Sequence, residues 1–419
     1  LRAATDFASA TIDGAFSRTF SFVGANDNPL CWLNAIDGTA TAAVDLAAFD
    51  RSLPGILTLR DDAMIRSGRV NATVDTVPSC DSRRSQLRVQ TNTIRARSRG
   101  AEVAVDPIVL TAQVSSNRGQ LRADKFEWNS SFGSAIGHCD LQSGVADFRI
   151  DFGRLTALLR PILQISEATL AGTASGKVEW SASADATWRL AGTTDAENLL
   201  ITFPGGRSLS RPSIHGEIEA VGRWGGQSLD VLNSAQVALV SSGLDLDATL
   251  MRPVEAPGEG TPLPLRFKGT GRMETLIETV GPWLPPQVAG LMGGFEIDAT
   301  AEVKRNEFQL AYASLQLIEP SLQIGDRRFS QTQIDVDFEG RYRWPDHSLV
   351  ANNFTLSGNA FSMRVDGKAD ADKVDLHIQW RAMLDRIQGS MIAPLASQTT
   401  RAPIQLAAFR DERATTDLP

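Results

Sequence analysis

The residues best suited to acid–base or metal chemistry are four histidines, His138, His215, His347 and His377. No two of them stand at the HxH or HxxxH spacing that puts two imidazoles on one ion. His377 falls on the polar side of an alternating segment, where water is its expected surrounding. Carboxylates are plentiful, and Asp335, Asp337 and Glu339 share one side of a segment, as do Asp245 and Asp247. Such rows could hold a hard cation, but they suit the solvated face of a sheet better. Gly269-Thr270-Gly271 before a helical stretch lacks the third glycine and the parallel context of a dinucleotide loop. No GxSxG elbow, phosphate loop, HExxH or EF-hand loop occurs. The three cysteines, Cys31, Cys80 and Cys139, form no CxxC pair, and an odd number cannot pair completely within the chain. They are read as small buried thiols. Eight tryptophans (Trp32, Trp128, Trp180, Trp188, Trp224, Trp283, Trp344 and Trp380) are scattered and read as packing residues, with sugar stacking the lesser alternative. No catalytic or metal-ligating residue is assigned, no cofactor is expected, and the chain is read as non-enzymatic.

What the chain offers instead is side chains arranged for packing. Of its 419 residues 42% are hydrophobic and 21% charged, which suits a folded protein. The net charge of −8 and pI near 5.2 disfavour a nucleic-acid surface and docking by overall charge on anionic membranes. No run reaches the roughly 18 apolar residues of a spanning helix. The first residue is Leu1, and residues 1–37 are read as an incomplete strand region of a fragment or processed product.

Period-two alternation dominates. Phe148, Ile150 and Phe152 alternate with Asp147, Arg149 and Asp151. Leu244, Leu246, Ala248 and Leu250 alternate with Asp245, Asp247 and Thr249. Phe295, Ile297 and Ala299 alternate with Glu296 and Asp298, Ile334, Val336 and Phe338 with Asp335 and Asp337, and Leu376, Ile378 and Trp380 with His377 and Gln379. Half-buried strands of this kind belong to antiparallel sheets with one face in water. Turns are expected at Ser116–Gly119, Gly205-Gly206 and Gly225-Gly226.

Four places break the rhythm in one way, with a strand, a short amphipathic helix and another strand. The helices are expected over Ala47–Leu57, Gly153–Leu163, Gly271–Leu284 and Arg381–Ile392. Leu155, Leu158, Leu159 and Ile162 form one apolar stripe, and Met273, Leu276, Ile277 and Val280 another. Pro54, Pro161 and Pro282 close the first three. The units recur about every 105–120 residues. They divide the chain into β-repeats over 38–147, 148–264 and 265–373, a terminal strand–helix over 374–396 and a flexible tail over 397–419. The fold class is mainly β: an extended, curved, largely antiparallel sheet, groove-like and repetitive, with a few short amphipathic helices.

The stretch Phe148–Leu155 followed by Leu170-Ala171-Gly172-Thr173-Ala174-Ser175-Gly176 resembles the AsmA/TamB-like superfamily of bacterial envelope proteins. Trp188-Arg189-Leu190-Ala191-Gly192 and Phe354–Phe361 add to the likeness, which spans most of residues 38–395 and is nearest to large AsmA-like members from planctomycete-type bacteria. The resemblance implies a periplasmic protein anchored in a membrane by regions outside this chain. It also implies a sheet curled into an apolar groove of the bridge-like lipid-transfer type, which carries phospholipid or another acyl lipid between membranes or maintains the outer membrane. Its partners would be lipid and the inner or outer membrane, not nucleic acid. The groove candidates are Phe148, Ile150, Phe152, Phe295, Ile297, Ile334, Val336, Phe338, Leu376 and Ile378. The same residues would form the core of a closed sandwich in a structural or adhesive β-repeat, and a carbohydrate-binding solenoid is the third alternative.

Overall fold

In a computed structural model, the residues described are 2–16, 36–53, 56–57, 59–78, 83–117, 120–140, 142–163, 168–183, 185–203, 208–225, 228–258, 260–280, 290–304, 307–324, 327–343, 348–370, 373–383, 391–392 and 415–416. The chain is mainly β and its strand pairs are antiparallel, as the alternation requires. It divides into two compact units, Leu1–Ser213 and Ile214–Pro419.

The first unit runs β1 (Arg2–Ala4), β2 (Ala8–Phe16), β3 (Ile36–Asp45), α1 (Leu46–Ser52), β4 (Ala63–Ser67), β5 (Arg69–Pro78), β6 (Arg83–Thr91), β7 (Ile94–Ser98), β8 (Ala101–Val105) and β9 (Val109–Asn117). It continues through β10 (Gln120–Ser130), β11 (Gly133–Asp140), β12 (Ser143–Asp151), α2 (Phe152–Leu159), β13 (Thr169–Ala182) and β14 (Thr187–Thr202). Its main sheet is a meander in the order β1-β2-β3-β5-β6-β9-β10-β11-β12-β13-β14. The remaining strands form a separate sheet, β4-β7-β8. Its inner residues Ala96 and Val105 make a small buried core with Ile162 just beyond α2, flanked by Leu59, Ile94, Val103 and Leu163.

The boundary at Ser213 falls inside β15 (Ser208–Trp224). The second unit continues through β16 (Leu229–Ser241), β17 (Leu244–Leu250), β18 (Val254–Glu255), β19 (Leu263–Arg272), α3 (Met273–Val280), β20 (Leu291–Lys304), β21 (Glu307–Ile324) and β22 (Arg327–Ser330). It then runs β23 (Gln333–Arg343), β24 (Ser348–Gly358), β25 (Phe361–Ala369) and β26 (Val374–Ala382). Its sheet runs β15-β16-β17-β19-β20-β21-β23-β24-β25-β26, with β18 beside β16 and β22 beside β21.

Three of the four strand–helix–strand places are present, and in each the flanking strands pair: β3 with β5, β12 with β13, and β19 with β20. α1 and α2 are shorter than expected. The carboxylates of Asp45 and Asp151 cap α1 and α2 by accepting from the amides of Ala48 and Arg154, each at 2.9 Å. The cap at Asp151 puts Phe152 at the head of α2 rather than on the strand, which corrects its assignment as a strand residue. Pro161 cannot continue α2; Pro54 and Pro282 lie outside the described residues. Gly271 and Arg272 remain in β19, so α3 starts at Met273. The fourth helix is contradicted at both ends: Arg381 and Ala382 finish β26, and Met391–Ile392 pairs with Arg328 and Phe329. Residues 384–390 between them lie outside the description, as do most of the tail and the Gly205-Gly206 turn.

The glycines of the Leu170–Gly176 segment have separate causes. Gly172 sits at φ +105, where the β13–β14 register shifts between Ala171 and Thr173, so it serves a bulge. Gly176 lies opposite Phe148; a Cβ there would come within 2.9 Å of the Phe148 ring and collide with the Thr193 carbonyl. Replacing Asp151 with Ala removes the acceptor that starts α2 and is expected to lower stability by about 1 kcal/mol. Amide hydrogen exchange would show faster opening over 152–159 than over β12.

Candidate functional site

The strand registers of the second unit assemble an apolar surface that no single strand displays. Leu239 stands opposite Leu246, Leu246 opposite Gly269, and Gly269 opposite Ile297. The row continues through Leu315, Val336, Leu356, Met363 and Trp380. It crosses nine strands with one glycine and no charged or polar chain except the Trp380 indole. At a strand spacing of about 4.8 Å, that is about 38 Å. The next row, two residues along each strand, runs Ile218, Val237, Ala248, Phe267, Ala299, Ala313, Phe338, Phe354, Val365 and Ile378. A third carries Leu265, Ala301, Leu310 and, further along, Leu376. Side chains two apart share a face, so the three rows form one surface.

One end of this surface is closed by α3. Met273 and Ile277 pack on Phe295, Leu317 and Ile334, all five buried, with Leu276, Ile297, Leu315 and Val336 around them. Beyond α3 the surface is open among the described residues: Leu239 is 41% exposed, Ile378 53% and Trp380 65%, whereas Phe295 is 3% exposed. Between β16 and β21 the open part is hollowed into a concavity of about 470 Å³, lined by Val237, Leu239, Leu246, Phe267, Ile297, Phe308 and Leu310 among others, with almost wholly apolar walls.

The opposite face is polar and largely satisfied by its own neighbours. Arg266 clasps Asp298 with Nε at 2.9 Å from Oδ1 and a second contact from Nη2 to Oδ2, and this holds the Asp298 carboxyl below its ordinary range despite partial burial. Both side chains are exposed, so the pair orders the face more than it stabilises it. Asp247 accepts from Gln236 and Thr249 at 2.7 Å each, and Asp335 from Gln333 at 2.7 Å. Among the described residues, no group of three or more histidines, cysteines or carboxylates could hold a metal ion. His138 and His377 are exposed and His215 is half-buried; His215 meets Glu217 at 3.2 Å and His377 meets Gln379 at 2.9 Å. Cys139 is half-buried, and burial followed by the Asp140 charge raises its thiol pKa. His347, Cys31, Cys80, Trp32, Trp283 and Trp344 lie outside the described residues.

Of the groove candidates, Ile297, Val336, Phe338, Leu376 and Ile378 lie on the one surface of the second unit. Phe295 and Ile334 share the face but are sealed beneath α3. Phe148 and Ile150 are half-buried on β12 of the first unit, opposite Ala135 and Gly133, and Phe152 is helical. Sequence reasoning did not name Val237, Leu239, Phe267, Phe308, Leu310, Phe354, Leu356 or Met363 as groove residues. The signal that finds them is the same alternation, applied to β16, β19, β21, β24 and β25. No protein-family model, curated protein or solved structure matches the chain.

Proposed function

We propose that the open apolar face of the second unit binds acyl chains, and that the protein is a non-enzymatic lipid carrier or conduit of a bacterial envelope, related to AsmA/TamB-like proteins and working in the periplasm. The observation that carries this reading is the row from Leu239 to Trp380: a band about 38 Å long, apolar on one side and polar on the other, whose middle borders the α3 core and whose two ends are uncovered among the described residues. A protein that buried its sheet face for structure alone would cover this band as α3 covers Phe295. Acyl chains suit it because they need no hydrogen-bond partner and gain about 0.8 kcal/mol per methylene removed from water. The headgroup, which must stay hydrated, would remain at the rim. A phospholipid is therefore favoured over a sugar polymer, which would need polar partners on the same face.

The test is native mass spectrometry of the chain purified from a bacterial envelope in mild detergent. The expected result is adducts with phospholipid masses, matched by organic extraction. A protein that stays free of lipid when offered phospholipid in excess would refute the reading.

A further inference from the structure

We propose that the outer face of the three-stranded sheet β4-β7-β8 in the first unit docks onto an anionic lipid bilayer. Its inner face is spoken for, since Ile65, Ala96 and Val105 are buried. The outward residues are of another kind. Arg97 stands between Met64 on β4 and Glu102 on β8, while Arg95 lies opposite Ala104 on one side and the irregularity at Arg66 and Ser67 on the other. The bulge in β4 brings Arg66 and Ser67 to a position that one residue would fill in a regular ladder. Arg66, Arg95 and Arg97 are all exposed, and among the described residues none of them forms an ion pair. Three guanidinium groups therefore face water with only Glu102 among them, on a chain whose net charge is −8.

A second observation concerns apolar side chains. Met64 is exposed on this same face, and Leu53 and Ile56 are exposed on the short segment that leads from α1 towards β4. An exposed methionine set directly beside an arginine matches a membrane interface, where the cations meet lipid phosphates and the apolar chains enter the acyl boundary. An acidic soluble protein would satisfy the arginines but give the aliphatic chains nothing to enter. The overall acidity does not oppose this, because charges farther away than about 10 Å are screened at about 0.1 M salt. The inference is independent of acyl-chain binding by the second unit.

Flotation of the full chain with vesicles tests it. Binding to vesicles of phosphatidylcholine with phosphatidylglycerol is expected to exceed binding to phosphatidylcholine alone by at least tenfold, and to fall when salt is raised to about 1 M, where the screening length is about 3 Å. The combined Arg66→Glu, Arg95→Glu and Arg97→Glu variant should lose flotation while keeping its far-ultraviolet circular dichroism. If that variant misfolds, the milder Arg95→Gln with Arg97→Gln decides, with an expected loss of about tenfold. A variant that only damages the apolar face of the second unit, Leu239→Asp with Met363→Asp, should float like the parent, which separates this surface from the acyl-binding one. Equal flotation on both vesicle types, arginine variants that float unchanged, or binding to heparin without binding to the anionic vesicles would overturn the proposal.

Discussion

A chain carrying Leu239→Asp and Met363→Asp is expected to leave a bacterial envelope with at least tenfold less bound acyl lipid than the parent. The two positions lie at opposite parts of the apolar row, on β16 and β25, so their effects should add. A carboxylate set against an acyl chain keeps its hydration shell and so lifts the chain off its neighbours. Loss of contact with two methylenes removes about 1.6 kcal/mol, slightly more than a factor of ten in affinity. Neither residue belongs to the core sealed by α3, and Leu239 is already 41% exposed, so the sheet should survive both changes. Ser362→Asp is the matched control. It adds the single charge that Met363→Asp adds, one residue away but on the polar face, where it stands opposite Arg381, and it should leave lipid occupancy unchanged. Quantitative lipid extraction from equal amounts of folded protein reads both variants. If the control loses lipid as the pair does, net charge and not the apolar row governs binding.

The rows that make this prediction possible were half legible beforehand. Alternation alone places Ile297, Val336 and Ile378 on one side of their strands, because the period of two is a local property. Which strand neighbours which, and in what register, is not local. Only the register shows that Leu239, Leu246 and Ile297 belong to one row, and that Gly269 completes it because the flanking Leu246 and Ile297 fill its space. The second and third helices were visible through their stripes, but the starts of α1 and α2 depend on capping carboxylates, and Asp151 turned Phe152 from strand into helix. The β4-β7-β8 sheet escaped notice as a separate layer because Arg95 and Arg97 alternate with Ala96 and Ser98 just as a strand of the main sheet would. The start expected for the fourth helix fails for a related reason: Arg381 and Ala382 have ladder partners in Ser362 and Phe361, and pairing overrides local helical preference.

The same contrast between open and sealed parts of the face predicts the largest stability effect in the chain. Phe295→Ala is expected to cost about 3–5 kcal/mol, and the upper part of that range is the better expectation. The ring is 3% exposed and packed among Met273, Ile277, Leu317 and Ile334. On one side it lies against Gly271, where an added Cβ would come within 2.9 Å of the ring. A glycine has no side chain to move into the vacated space, so the cavity would persist and its walls would lose their contacts. In a unit of this size each 1 kcal/mol lowers the melting temperature by about 2–4 °C, so the variant should melt roughly 6–20 °C early. Hydrogen exchange should locate the damage first in α3, whose hold on the sheet runs through this ring, and only then in β19 and β20. Leu239→Ala, on the uncovered part of the surface, removes a side chain that is already partly in water and should cost about 1 kcal/mol. Equal destabilisation by the two variants would mean that the surface beyond α3 is as well covered as the part beneath it, and acyl chains would then have no open face to occupy.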